Sequence, residues 1–389
     1  MAADQVGRGR PNVKQRQLLK EIRSSIGSGS LLPDSQLPTI KELTESHAVS
    51  GVTVNKAMST LLKDGFIRSV RGGGTYVSSR PPNTTRFGLV FPWRPDVTRP
   101  WSLFWKALTA AALQIEQSDD IEIPVFYDIE SHAHQTRDYD NLLRAVESDQ
   151  LAGLIFAHSP HELMGTPVLD HPGMPRVALM SPQTLPNISA TCYDENSYFD
   201  AAFGHFARVG RRKLAVLLTA TRDDDGQVRL VQSKAREFGL ELPKRRIQSV
   251  HPLTPSWAEN VMEMLFHPQS AEVPDALLIL DDNLVEPAQR GLLAAGIGAE
   301  SPVEILAHCN WPTPPSRILP MKFIGYDAVQ ALRKSIGLIG QQRRTGGGAQ
   351  STLIPARFEP FSSNNLSVES FSADISSVSH SRRHENAIV

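Results

Sequence analysis

Residues 49–77, VSGVTVNKAMSTLLKDGFIRSVRGGGTYV, carry two periodicities separated by a stop. Ser50 is an N-cap candidate, and after it Val54, Ala57, Met58, Leu61 and Leu62 recur at three- and four-residue spacing, which predicts a helix with one apolar face. Asp64-Gly65 ends that helix. FIRSV, RGGG and TYV then read as strand, turn and strand, the glycines standing where a chain turns sharply or lets its backbone approach a ligand. The glycine run fits neither common nucleotide loop. A Walker loop needs Gly-Lys-Ser/Thr, which is missing, and a dinucleotide fingerprint needs a third glycine where this chain has Val77.

The polar face of the same helix carries Val52, Thr53, Asn55, Lys56, Ser59 and Lys63, with no acidic residue. A helix N-terminus turns free N–H groups and a positive dipole end toward anions, and Thr, Asn and Lys reach base edges and phosphates in a major groove. An ordinary solvated helix face fits that composition too. Upstream, VKQRQLLKEIRSSI (13–26) sets Leu18, Leu19, Ile22 and Ile26 on one helical face, with Gly27 and Gly29 expected to end it. LP at 37–38 precedes Thr39, whose capping box with Glu42 opens a short helix to about His47. Three helices followed by a hairpin make a winged helix-turn-helix. Residues 1–86 hold 13 Lys and Arg against 6 Asp and Glu, a net +7, whereas the whole chain carries −1. A basic end on an acidic body points to a polyanion as the partner of the first 80 residues.

On LP-TIKEL, VSGVTVNKAMSTLLKDGFI and RGGGTYV, residues 12–79 resemble the GntR family of bacterial transcription regulators. The resemblance implies that the helix from Ser50 reads the major groove and that the 71–75 tip is a wing along the minor groove. Contact positions implied in this way are Lys41, Ser50, Val52, Thr53, Asn55, Arg71 and Gly72, and Gly73 and Thr75 share the wing. Gly51 stands where the family usually has arginine, a loss that Lys56 is placed to offset.

From Arg86 onward, apolar runs alternate with helical patterns: RFGLVF (86–91), IEIPVFY (121–127), LAGLIFA (151–157), RVALM (176–180), KLAVLL (213–218), IQSVH (247–251), ALLIL (276–280) and VEILAHC (303–309). Continuous apolar strands alternating with helices predict an α/β body with parallel sheets. The polar, proline-bearing SPQTLPNISATCYDEN (181–196) predicts a crossing between two lobes, with a cleft at the strands' C-terminal ends. The expected division is a winged helix-turn-helix at 1–80, a linker at 81–86, a two-lobed unit at 87–360 with crossings near 181–193 and 309–327, and a disordered tail at 361–389 holding 9 Ser in 29 residues.

This half resembles the effector domain of LacI-type repressors, of the type 1 periplasmic-binding-protein fold, on FGLVF, LAGLIF, FGHFARVGRRKLAVL and ALLILDDNLVEPAQRGLLAAGI. A GntR-type head on such a body resembles the arabinose-repressor subgroup. The resemblance implies effector contacts at Arg229 and Asp281, and more loosely at Asp194. It also implies that Cys309, in AHCN (307–310), stands where an aspartate commonly binds a sugar. Trp93 and Trp101 are candidates to stack on a sugar face or, alternatively, to cap the core.

Other chemistry finds little support. His132, His134, His158 and His161 have no Cys or acidic partner at metal-ligand spacing, and His308 and Cys309, adjacent in a strand, point to opposite faces. No cofactor or catalytic constellation is expected. Two distant cysteines, no apolar run near the roughly 18 residues of a membrane helix, and an N-terminus without an apolar core lead to the expectation of a cytoplasmic protein. The expected partners are double-stranded operator DNA, a sugar-like small-molecule effector and a second copy of the chain as a homodimer, in a ligand-responsive transcriptional regulator expected to be a repressor. Two other readings stay open: a sugar-binding protein or sugar-processing enzyme with an accessory N-terminal domain, and a DNA-binding protein whose body is only a dimerisation platform.

Overall fold

The computed structural model describes residues 13–95, 102–130, 136–180, 185, 187–220, 224–270, 272–346 and 348–359. Its N-terminal unit, the head, contains α1 (Val13–Ser28), α2 (Ile40–Ser46), α3 (Gly51–Lys63) and a hairpin of β1 (Ile67–Val70) and β2 (Gly74–Val77). The capping box forms as its sequence implies: Thr39 N–H donates to Glu42 Oε2 (2.7 Å) and Glu42 N–H to Thr39 Oγ1 (3.3 Å). The Thr39 N–H, then the Thr39 hydroxyl (2.9 Å), both donating to Glu42 Oε2, hold that carboxyl below its usual range. Leu18, Ile26, Val54, Ala57, Leu61, Phe66 and Val77 form the buried core. Arg23 is buried as well, paired with Asp64 (2.6 Å) and lying over the Phe66 ring.

Two sequence expectations change in the head. Gly27 does not end α1, which runs to Ser28; Gly29, with φ +82°, makes the turn. Residues 35–37 add a third edge to the hairpin, Leu37 N–H bonding to Thr75 O and Val77 N–H to Ser35 O, both at 2.9 Å.

A short turn of helix, α4 (Pro82–Thr85), leads into the first lobe. In chain order that lobe has β3 (Phe87–Val90), α5 (Leu103–Ser118), β4 (Val125–Phe126), α6 (Arg137–Glu147), β5 (Gly153–Phe156), α7 (Pro167–Asp170), β6 (Arg176–Leu179) and β7 (Ser189–Asp194). The second lobe follows with α8 (Glu195–Arg208), β8 (Leu214–Thr219), α9 (Asp224–Glu237), β9 (Ile247–Val250), α10 (Trp257–Leu265), β10 (Ala276–Ile279), α11 (Val285–Ala294), β11 (Glu304–Trp311) and β12 (Lys322–Asp327). The chain then returns through α12 (Ala328–Thr345) and β13 (Ser351–Pro355), and ends its described course in β14 (Arg357–Phe358).

The first sheet runs β13-β7-β6-β5-β3-β4, all neighbours parallel. The second runs β14-β12-β11-β10-β8-β9, parallel except for β14. The sheets change at 194–195 and 327–328, and again between β13 and β14. These crossings come just after the expected segments because 189–194 and 322–327 are themselves strands. The Ser-rich tail lies outside the described residues.

Candidate functional sites

The head exposes a compact polar surface. Ser50 caps α3, its Oγ accepting from Thr53 N–H (3.2 Å) and sharing a 2.9 Å bond with the Thr53 hydroxyl. Capping leaves the first turn's other N–H groups outward. Val52 is 66% exposed, Asn55 and Lys56 are exposed one turn on along the same helical face, and Lys41 is exposed on α2. Behind this face, Arg23 ties α1 to Asp64, the C-cap of α3.

At the wing tip, Gly73 N–H bonds back to Val70 O (2.9 Å) and Gly72 has φ +74°, the third position of a type II turn. Gly74 combines φ +101° with close packing: a Cβ there would lie 2.8 Å from Gln36 Nε2. Gln36 Nε2 and the Tyr76 hydroxyl both donate to Gly73 O, at 3.2 and 3.0 Å. The tip is therefore braced, with Arg71 exposed on it.

The C-terminal ends of the two sheets meet at the lobe junction, the position where open α/β sheets take ligands. From the first lobe, Phe91 stacks on Tyr127 (5.5 Å) and Trp93 meets Trp105 edge-on (4.7 Å), with His158 6.5 Å from Trp105. From the second lobe, Asp281 follows β10, His308 and Asn310 lie near the end of β11, and Tyr326 near the end of β12. Asp281 accepts from Asn283 N–H (2.9 Å), Asn283 Nδ2 (2.7 Å) and the Thr219 hydroxyl. Asp282, 3% exposed, accepts from Asn310 Nδ2 (2.8 Å). Burial, then the Asp281 charge, pushes its carboxyl up to about 7. Burial lowers His308 to about 4, so this wall presents a neutral imidazole near neutral pH.

The crossing itself is aromatic. Tyr193 packs on Tyr326 (4.4 Å) and Phe104 (5.7 Å), and Tyr198 on His308 (5.6 Å). The buried hydroxyls of Tyr193 and Tyr198 have no hydrogen-bond partner among the described residues, and burial raises both phenols. Leu103 N–H donates across the lobes to Asn283 Oδ1 (3.1 Å).

Residues 14–77 match the model of the family described as bacterial regulatory proteins, gntR family. The head is a GntR-type domain. Over 91 residues the chain is 35% identical to the arabinose metabolism transcriptional repressor of Geobacillus stearothermophilus, covering 22% of this chain and 25% of that protein. Over 74 residues it is 38% identical to the mannosyl-D-glycerate transport/metabolism system repressor MngR of Escherichia coli (strain K12), covering 19% and 31%. The chain thus spans about a quarter to a third of these curated relatives. Beyond the GntR-type head, the α/β region has the fold of LacI-family regulators. A regulatory protein of that family from Chloroflexus aggregans superposes with TM-score 0.53 at 16% identity, over 70% of this chain and 96% of its own. A transcriptional regulator of the same family from Sanguibacter keddieii gives 0.51 at 18%, over 71% and 97%.

On the GntR-type head, Ser50, Val52, Asn55 and Lys56 are exposed at the start of α3, Lys41 is exposed on α2, and Arg71, Gly72 and Gly73 form the wing tip. Thr53 differs: it is 8% exposed and turned back onto Ser50, so it serves the cap and not a base edge. Thr75 is half-buried in β2, opposite Ser69.

Asp281 follows β10 at the lobe junction, and Trp93, after β3, packs on the core. Asp194 caps α8 through Ser197 N–H (3.1 Å) at the crossing. Arg229 is exposed on α9. Cys309 is a correction: it is fully buried in the second lobe's core with Ala307 and Phe323, and burial pushes its thiol up. Strand alternation turns its neighbours His308 and Asn310 to the other face. Tyr193, Tyr198, Tyr326 and Asn310 were missed, and only that alternation in AHCN (307–310) pointed toward Asn310. Trp101, His132 and His134 lie outside the described residues.

Proposed function

We propose that this chain is a ligand-responsive bacterial transcriptional regulator, acting as a repressor, that binds operator DNA as a homodimer and senses a sugar-like small molecule between its lobes. The observation that carries the reading is the capped α3 with Val52, Asn55 and Lys56 outward beside a wing tipped by Arg71, joined to a two-lobed α/β body. The two curated relatives named above, similar to the head, are repressors, which supports the direction of control. The chemistry is binding: regulator families account for both parts of the chain, and no catalytic step is assigned. As a DNA-binding regulator the protein is placed in the cytoplasm; separately, among the described residues no helix is long and apolar enough to cross a membrane.

In this reading, ligand contacts with Asp281, Asn310 and the tyrosines change lobe closure. Closure changes the spacing of two heads, and so DNA affinity, without altering any base contact. The test is a thermal-shift screen against pentoses, hexoses and sugar acids, followed by DNA binding with each stabilising compound. Asp281→Ala is expected to keep DNA binding and lose the response. A fully responsive variant would move the ligand site elsewhere.

A further inference from the structure

The helix that re-enters the first lobe ends against the head. α12 begins at the lobe crossing, where Asp327 caps it through Val329 N–H (2.9 Å) and Gln330 N–H (3.1 Å) and pairs with Arg357 (3.0 Å). Its 18 residues make a rod of about 27 Å. It is seated closely on the first sheet, a Cβ at Gly153 meeting Ile339 at 2.7 Å. In its last turns Arg343 donates Nε–H to Gly27 O (3.2 Å) in the head and Nη1–H to Ala152 O (2.8 Å) in the body. One planar guanidinium therefore joins the two units.

Gly27 is helical, so its glycine answers a close approach and not a turn. A Cβ there would overlap the Arg343 guanidinium and lie 3.1 Å from Asn83 Nδ2. Asn83, 2% exposed in α4, donates to Arg23 O (2.8 Å). Arg23 holds Asp64 at the end of α3. Nearby, Asp149 supplies counter-charge: burial raises its carboxyl, and Arg23, His171, Arg343 and Lys20 oppose that rise. A cavity of about 880 Å³ opens at this junction, lined in part by Lys20, Asn83, Asp149 and Arg176. The exposed face of α3 stays clear of the contact, so docking orients the head without covering it.

We propose that Arg343 is a positioning residue that fixes the angle of the head on the body, so that movement of α12 at the lobe crossing reaches α3 through Gly27, Arg23 and Asp64. This rests on the DNA-binding, dimeric reading above. Both ends of the path are rigid elements, and the joint between them is a small set of directional bonds, the arrangement through which two-state coupling travels.

The test uses the full-length chain and a duplex selected by it from a random DNA pool, the same duplex cut to one half-site, and versions with the half-site separation changed by about five base pairs. Wild type is expected to prefer its selected separation by about tenfold or more. R343A should bind the single half-site within about twofold of wild type while its preference for separation falls below about threefold. R343K should behave like R343A, because a lone ammonium is not the planar fork that spans two carbonyls; it carries the comparison if R343A fails to fold. Amides of residues 23–28 should exchange about tenfold faster in either variant. Unchanged separation preference in both variants would overturn the proposal. So would loss of single half-site binding in step with it, which would mark Arg343 as merely structural. Failure of wild type to bind any duplex would instead overturn the DNA reading on which the proposal rests.

Discussion

Asp64→Asn is the perturbation that tests how the head is held together. The substitution keeps the size and polarity of the α3 C-cap but leaves Arg23 unmatched. Side-chain exposures of 8% for Arg23 and 17% for Asp64 make this a mostly buried pair. Breaking a buried pair costs about 3–5 kcal/mol, against about 0–1 kcal/mol for an exposed one. Residual solvent at Asp64 places the cost near the low end, about 3 kcal/mol. A unit of about 65 residues is stable by roughly 3–10 kcal/mol, so the loss is a large share of the head's stability. It corresponds to a melting decrease of about 12–24 °C for the head. All five tryptophans lie beyond residue 92, so fluorescence reports the body. Amide exchange along α3 in the full chain reports the head, and its slowest amides should exchange about two orders of magnitude faster. Replacing both partners, Arg23→Met with Asp64→Leu, should recover most of the loss, since the cost lies in the orphaned charge. An acceleration below about fivefold for Asp64→Asn would show a solvent-screened pair and refute the argument.

Other expectations concern the DNA face, the cleft and the second sheet. Lys56→Ala and Arg71→Ala should each weaken duplex binding and lower the log–log salt slope by about 0.9 between about 50 and 200 mM salt; an unchanged slope takes that residue off the backbone. Asp282 and His308 pull stability in opposite directions with pH. With its carboxyl raised to about 7, Asp282 contributes stability that is lost as pH climbs from about 4 to 7. With its imidazole lowered to about 4, His308 costs stability below its usual range, so its contribution grows from about pH 4 to 6.5. Asp282→Asn should therefore make the melting temperature rise more steeply with pH than in wild type, and His308→Gln should do the reverse, both read by calorimetry. Gly325→Ala would drive a Cβ into the Cys309 backbone on the neighbouring strand; a lowered body melting temperature is expected, and an unchanged one would contradict the tight β11–β12 pairing.

The head was legible because each of its elements carries a local stop: Ser50, Asp64-Gly65 and the glycines at 72–74. The third edge at 35–37 was not, since a single ladder bond pair leaves no periodicity. In the body, the fully buried β3, β5 and β10, and β8 up to Leu218, read directly as apolar runs. β7 and β12 did not: Thr191 interrupts one, and Gly325, required by the approach of Cys309, interrupts the other. Gly27 looked like a helix stop because sequence shows the glycine but not the Arg343 side chain packed against it. The cleft was the least legible part. Its aromatic wall is assembled from Tyr193 and Tyr198 around one crossing and Tyr326 at the other, and only the three-dimensional path brings them together.

In the proposed function one chain reads DNA with its head and a small molecule between its lobes, and the two are linked. The direct measurement is the Kd of full-length protein for a duplex it has itself selected, with and without each pentose, hexose or sugar acid that raises its melting temperature. At least one stabilising compound should shift the Kd by about tenfold, a typical coupling, and Asp281→Ala should remove the shift but not the DNA binding. Stabilising compounds that leave the Kd unchanged, or a chain that selects no duplex, would contradict the proposed function.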